Sequence, residues 1–403
     1  MDSPAPRFAN GRRGRMKVAI VTYRYPPQPG GVAASMGNLA KGLADLGHEV
    51  VVYSTRLPGG SSEEAPGRIR VNRTINITGV QLMYGVLPNV FGLVRSLSED
   101  KPDVMILNGV GHFESVLASE YARFIPQIMV AHGSATMYYR PDRPWYHHAA
   151  WKVFIETFGK HMLKRVDTII ALALYELPNW EHLGVPLKKV RVIPWGVTDD
   201  CFQDINPEDF KMRHGVGGRM ILFAGNLVPQ KGPQLIIRAL AGLVSTYPDV
   251  KAIFVGPSTP FKRELVALSE ALSLSENVMF LGYVSRIELL RAYAACDIFV
   301  HPSDYEAFGL AIVEAMAFGK PIVACNVGAV PSLVERNACG ILVPQRDVVK
   351  LRQAIRRLLD DPELRDKLGS NARSAARHYS WPVVSRAYES LCEDLVADYL
   401  SRP

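Results

Sequence analysis

Residues 297–323 (DIFVHPSDYEAFGLAIVEAMAFGKPIV) hold the pattern that most limits what this chain can become. Ile298, Phe299 and Val300 form a short apolar run of strand character, and a polar turn leads from it to Glu306. Leu310, Val313 and Met316 then recur at helical spacing, with Ala317 beside them. Gly319-Lys320-Pro321 stops that helix, and residues 321–324 read as the next buried strand. Glu306 therefore falls in a strand-to-helix loop and Glu314 within the helix. If the helix starts near Phe308, Glu314 lies a turn or two along its axis. The backbone N–H groups of Ala307, Phe308 and Gly309 would face out of the helix start, where an anion is favoured. Gly309 lets a ligand approach the backbone closely. An anion site between two carboxylates suits a ligand with hydroxyls at both ends and phosphate in the middle.

The same alternation fills the rest of the chain. Residues 220–225 (MILFAG), 250–256 (VKAIFVG), 277–282 (NVMFLG) and 297–300 (DIFV) are strands separated by helical stretches, which predicts one parallel sheet. An earlier series begins with MKVAIVTY at 16–23, a loop at 24–31 carrying Gly30-Gly31, a helix over 32–47 and a strand over 50–53. Gly30 and Gly31 expose backbone N–H groups at a helix start. Dinucleotide binding is disfavoured here, because Gly-x-Gly-x-x-Gly is missing and Ser54-Thr55, not an acid, closes the second strand. Further strands end at Asn108-Gly109 and at His132-Gly133. Ligands of parallel sheets bind beyond the carboxyl ends of strands, so His132 is a candidate functional residue.

At 403 residues the chain is too long for one ordinary core, and two domains are predicted. No apolar run approaches the roughly 20 residues that a spanning helix needs. Residues 1–15 are basic without an apolar core and read as a disordered leader, not a secretory signal. Residues 57–68 read as a polar, mobile loop. The five cysteines are scattered, which predicts reduced thiols in a cytoplasmic protein. Residues 1–200 carry 23 Lys and Arg against 17 Asp and Glu, whereas the remainder carries 23 against 22. That bias fits an anionic partner for the first half, as does ordinary scatter in composition, and no nucleic-acid partner is expected. Residues 151–165 put Trp151, Ile155, Phe158 and Met162 on one face and lysines elsewhere, a pattern of an anionic-membrane contact or of a helix packed on a sheet.

Glu306 and Glu314, with the residues around them, resemble the Glu-x7-Glu signature of the family-four retaining glycosyltransferases, which have the two-domain GT-B fold. The residues from 225 to 232 (GNLVPQKG) resemble that family's Gly-Arg-Leu-(x)-Lys-Gly diphosphate loop, with Lys231 matching and Asn226 standing where the family has arginine. Gly282-Tyr283-Val284 matches the loop that meets the nucleotide base, and residues 326–331 match a Gly-rich turn. His132 resembles the active-site histidine. Gly30-Gly31 resembles the loop that faces donor phosphates and acceptor. Residues 190–197 resemble the interdomain segment, with Trp195 where the family usually has asparagine.

The resemblance implies an α/β chain of two Rossmann-like domains with parallel sheets facing across a cleft. Residues 16–197, with a returning helix at 383–399, would take the acceptor, and residues 198–382 the nucleotide sugar. It implies hexosyl transfer with retention to an acceptor hydroxyl; an anionic or lipid-linked acceptor and peripheral contact with the inner face of the membrane are the readings that the basic first half and residues 151–165 leave open. Lys231 and the helix start at Phe308, Gly309 and Leu310 would stabilise the leaving diphosphate. Glu306 would hold the donor sugar, Glu314 the ribose, and His132 the sugar from the other domain. No Asp-x-Asp occurs, so neither a metal ion nor a cofactor other than the donor is expected. A sugar-nucleotide 2-epimerase, a phosphorylase-like transferase and an inactive nucleotide-sugar binding protein stay open.

Overall fold

The structure, a computed structural model, describes residues 14–28, 30–55, 63–64, 67–77, 88–89, 91–132 and 145–402. The expected leader lies outside these residues except for Gly14 and Arg15, as do most of the 57–68 loop and Gly133. The chain divides into two compact units, Met1–Gly196 with Trp381–Pro403, and Val197–Ser380.

The first unit is built on strands β1 (Lys17–Val21), β2 (Glu49–Thr55), β3 (Glu63–Glu64), β4 (Ile69–Ile77), β5 (Pro88–Asn89), β6 (Val104–Asn108), β7 (Gln127–Val130), β8 (Thr168–Ala171) and β9 (Val190–Val192). Among the described residues their order is β3-β4-β2-β1-β6-β7-β8-β9, with β5 on β4. Among the described residues the two-residue strands β3 and β5 pair antiparallel with β4, and the other pairings are parallel. Segments such as VMILN and QIMV are buried at every position, as strands covered by helices on both faces must be. The final helix, Trp381–Leu400, lies against the helix Gly31–Asp45. Gly42 permits that approach, because a Cβ there would stand 1.8 Å from Ser385 Oγ.

The second unit holds β10 (Met220–Ala224), β11 (Lys251–Val255), β12 (Val278–Gly282), β13 (Ile298–His301), β14 (Ile322–Cys325) and β15 (Gly340–Val343). They form an all-parallel sheet ordered β12-β11-β10-β13-β14-β15. In both units the strand that opens the series sits inside the sheet, β1 between β2 and β6 and β10 between β11 and β13. The winding direction reverses there, leaving a crevice beyond the carboxyl ends of the adjacent strands.

One local expectation is corrected. Residues 151–165 are not one regular helix: Trp145–Phe154 passes through a π-turn, Ile155–Gly159, before Lys160–Arg165 resumes. The wider turn rotates Phe158 off the packed face, where it is 47% exposed, while Trp151, Ile155 and Met162 remain buried. All five cysteines are unpaired and buried. Among the described residues no helix is long and apolar enough to cross a membrane.

Candidate active site

In the second unit the loops after β10 and β13 meet at the reversal point. Asp304 N donates to Gln230 O at 2.8 Å and Ser303 Oγ to the same carbonyl at 3.2 Å. Gly232 takes φ +73°, and any Cβ there would stand 2.1 Å from Pro302 O. These backbone contacts bring Lys231 to Glu306. Lys231 Nζ donates to Glu306 Oε2 at 2.6 Å, and His301 Nε2 donates to the same oxygen at 2.8 Å. The carboxylate only accepts, so Nε2 of His301 carries the hydrogen. The His301 ring is buried between Phe223 and Phe299, with centroid distances of 6.4 and 6.1 Å. Burial opposes ionisation of Glu306, but the Lys231 charge and the His301 hydrogen bond overcome it and hold the carboxyl down at about 2. The turn after β14 clamps this loop: Ala329 N donates to Glu306 O at 3.1 Å. Gly328, at φ +51°, approaches so closely that a Cβ would lie 1.9 Å from that oxygen.

The helix carrying Glu314 runs Leu310–Ala317, two residues later than the spacing suggested. Gly309 caps it at φ +98°, a conformation that only glycine adopts cheaply. Ile312 N and Val313 N bond back to Gly309 O. The first turn of this helix therefore begins at Leu310, directly after the expected donors Ala307, Phe308 and Gly309. The Phe308 ring is core, packed near Tyr379. Glu314 accepts from Arg286 Nη1 at 2.5 Å and from Tyr293 OH at 2.9 Å. Arg286 also binds Asp200, at 2.9 and 3.0 Å, and Thr198 Oγ1 at 3.1 Å. Each glutamate of the pair thus has its own cation. Arg286 stands two residues beyond Val284, itself half-buried in the loop after β12, whereas Asn226 is exposed. A cavity of about 600 Å³ lies at the ends of β14 and β15, lined among others by Asp304, Tyr305, Gly328 and Gln345.

The first unit has a different arrangement at its own reversal point. Asn108 ends β6 and is buried, as is Thr22 just past β1. Asn108 Nδ2 donates to Thr22 Oγ1 at 2.5 Å, and Thr22 Oγ1 to Arg24 O at 2.9 Å. His132, just past β7, bonds through Nε2 to Asn108 Oδ1. Its ring stacks on Trp195 at 5.3 Å, and Trp195 in turn stacks on Tyr388 at 6.4 Å. Burial, with the nearby His112, pushes the His132 imidazolium down to about 3, so the ring is neutral. Gly30 sits at φ +127° at the start of the helix Gly31–Asp45, with Arg24 Nη1 3.7 Å from the position its Cβ would take. Among the described residues no three His, Cys, Asp or Glu side chains converge to hold a metal.

The sequence alone points to Lys231 and Glu306 but not to His301, to Glu314 but not to Arg286, and to His132 but not to Asn108 or Thr22. Arg286 lies 28 positions before Glu314, Asn108 lies 24 before His132, and Thr22 lies 86 before Asn108. No spacing rule joins them, although Asn108 and His132 share one signal, a polar residue at a strand end followed by glycine.

A family model described as glycosyl transferases group 1 matches residues 204–375, and one described as Glycosyltransferase Family 4 matches residues 29–200. An uncharacterized glycosyltransferase of Methanocaldococcus jannaschii is 28% identical over 92% of this chain and 96% of its own length. A GDP-mannose-dependent alpha-(1-6)-phosphatidylinositol monomannoside mannosyltransferase of Mycobacterium tuberculosis is 24% identical over 95% of this chain and 98% of its own. The chain spans about half the length of the D-inositol 3-phosphate glycosyltransferases it matches at 30–35% identity. Among solved structures, sucrose-phosphate synthase of Thermosynechococcus elongatus superposes with a TM-score of 0.79 at 22% identity, covering 95% of this chain and 100% of that one. With both halves matched and two parallel-sheet units in place, the chain belongs to the family-four glycosyltransferases of the GT-B fold.

Proposed function

We propose that the second unit binds a nucleoside-diphosphate hexose and that the enzyme moves the hexosyl group, with retention, to an acceptor hydroxyl taken by the first unit. The observation that carries this reading is the Lys231–Glu306–His301 cluster at the reversal point, next to the helix start at Gly309. As the glycosidic bond breaks, charge develops on the diphosphate. A lysine held in place and helix N–H groups stabilise that charge without reorganising. Glu306 accepts from the donor sugar's hydroxyls, and Glu314, steadied by Arg286 and Tyr293, from the ribose. Lysine and helix dipole do the work that a divalent ion does elsewhere, so turnover needs neither a metal nor a further cofactor. The buried, unpaired cysteines fit work in the cytoplasm.

The acceptor is an anionic or lipid-linked alcohol. Two features support this: a full-length relative named for a phosphatidylinositol mannoside, and an exposed group of apolar residues beside Lys152. In that group Trp145 is 78% exposed, Val153 62% and Phe158 47%. The test is a panel of nucleotide sugars screened by thermal shift and by transfer to acceptors, free or on anionic vesicles, with and without chelator. One nucleotide sugar should stabilise the protein and be consumed only with an acceptor, chelator or no chelator. Consumption without acceptor would point to an isomerase, and loss in chelator restored by a divalent ion would overturn the metal-free site.

A further inference from the structure

The hydrogen-bond chain in the first unit has one direction only. Arg24 O is a carbonyl and can only accept, and Thr22 Oγ1 donates to it at 2.9 Å. A hydroxyl has a single proton, so Thr22 must receive its other hydrogen bond. Asn108 therefore turns its amide Nδ2 to Thr22, at 2.5 Å, and its carbonyl Oδ1 to His132. A carbonyl oxygen facing Nε2 requires a hydrogen on Nε2. Thr22 and Asn108 are both buried, so water does not offer the amide an alternative partner. Ser115 Oγ further holds the Asn108 backbone, donating to its carbonyl at 3.1 Å. Trp195, stacked on His132 with 22° between the planes, limits rotation of the ring.

We propose that Asn108 is a positioning residue that fixes His132 as its Nε2–H tautomer and so makes Nδ1 the acceptor for a substrate hydroxyl. This rests on the reading of His132 as a substrate-facing residue. Among the described residues, His112 is the titratable group whose charge reaches the ring, with Glu114 3.6 Å from His112. A ring whose proton affinity is this low is a weak base at neutral pH. It orients the hydroxyl and does not remove its proton. The direction of the chain starts at the Arg24 carbonyl, in the loop that leads to Gly30. The shape of that loop therefore decides which nitrogen of His132 meets the substrate.

The test is heteronuclear NMR on the ligand-free, full-length protein with ¹⁵N-labelled histidine, His132 being assigned by the signal lost in His132→Gln. Wild type should show a protonated Nε2 and an unprotonated Nδ1 from neutral pH down to below pH 5. Thr22→Val keeps the volume but removes the hydroxyl, so the amide can flip and both tautomers should appear; Thr22→Ser should restore one. Asn108→Asp places a carboxylate beside the ring. The His132 titration should move up toward neutral, and turnover should then fall roughly tenfold per pH unit below that value. A protonated Nδ1 in wild type, or shifts in Thr22→Val identical to wild type, would overturn the proposal. The spectrum is read without substrate, so it judges the tautomer separately. Wild-type turnover in His132→Gln would instead remove the substrate-facing role.

Discussion

The reversal points of the two sheets make opposite electrostatic choices. In the second unit the strand ends deliver Lys231, Glu306 and His301, and the carboxylate is kept ionised to about 2 despite its burial. In the first they deliver Thr22, Asn108 and His132, and the imidazole is kept neutral to about 3. Burial acts on both groups and favours the uncharged form of each. The difference lies in the neighbours. Glu306 has a cation within 2.6 Å, so Coulomb attraction outweighs desolvation, whereas His132 has an amide oxygen and an indole face, which do not. One fold thus offers an ionic crevice and a neutral one, the contrast that the proposed donor and acceptor sites call for.

Substitutions in each crevice test that contrast. The largest effect should come from Lys231→Ala, which under the proposed function removes a preorganised stabiliser of transition-state charge. A loss of about 2.7–4 kcal/mol, or 10²–10³ in kcat, with a smaller change in KM is expected. Unchanged steady-state turnover would mean that the second crevice does not work through charge. Next, Glu306→Gln and Glu314→Gln each exchange a charged acceptor for a neutral one. Donor use should weaken by roughly 1.5–3 kcal/mol in each, read as kcat/KM for the nucleotide sugar with circular dichroism unchanged.

Acid should separate the two crevices by pH window. His132 has a depressed affinity for protons in the native state, so stability falls as pH drops below 6.5 and continues to fall to about 3. By pH 5 this amounts to about 2 kcal/mol, and His132→Gln should flatten that part of a Tm-against-pH curve. Glu306 is also depressed, but from 4.5 to about 2, so its contribution is complete above pH 4.5 and disappears only toward pH 2. Glu306→Gln should therefore leave the slope between pH 6.5 and 5 unaltered. Equal slopes in wild type and His132→Gln would show that the first crevice is not the neutral one. The smallest effect belongs to Asn226→Arg. Asn226 is exposed, so a guanidinium there would add roughly 1 kcal/mol or less, at most about fivefold in nucleoside-diphosphate affinity. Inhibition constants for the free diphosphate measure it, and weaker binding would mean that residue 226 does not face the phosphates.

Much of this molecule is local in sequence. The buried runs MILFA, KAIFV and VMILN read as strands because both of their faces are apolar, and the helix after Gly309 reads as a helix from Leu310, Val313 and Met316. The two α/β units were legible for the same reason, and Lys231, His132 and the glutamate pair were candidates because each belongs to a short motif that the sequence carries in one piece. The π-turn at Ile155–Gly159 was not legible, because helical spacing assumes a constant pitch and one extra residue moves Phe158 to solvent. Nor were the partners legible. A parallel sheet places the ends of distant strands a few ångströms apart, and which side chains meet depends on strand order and register. Sequence alone determined that strand ends would carry polar residues. Tertiary structure decided that Lys231 would find Glu306 and Arg286 would find Glu314, and that Asn108 would stand between Thr22 and His132. Charge and tautomer are properties of those pairings, because a proton's energy depends on the few groups within hydrogen-bonding distance and not on their separation along the chain.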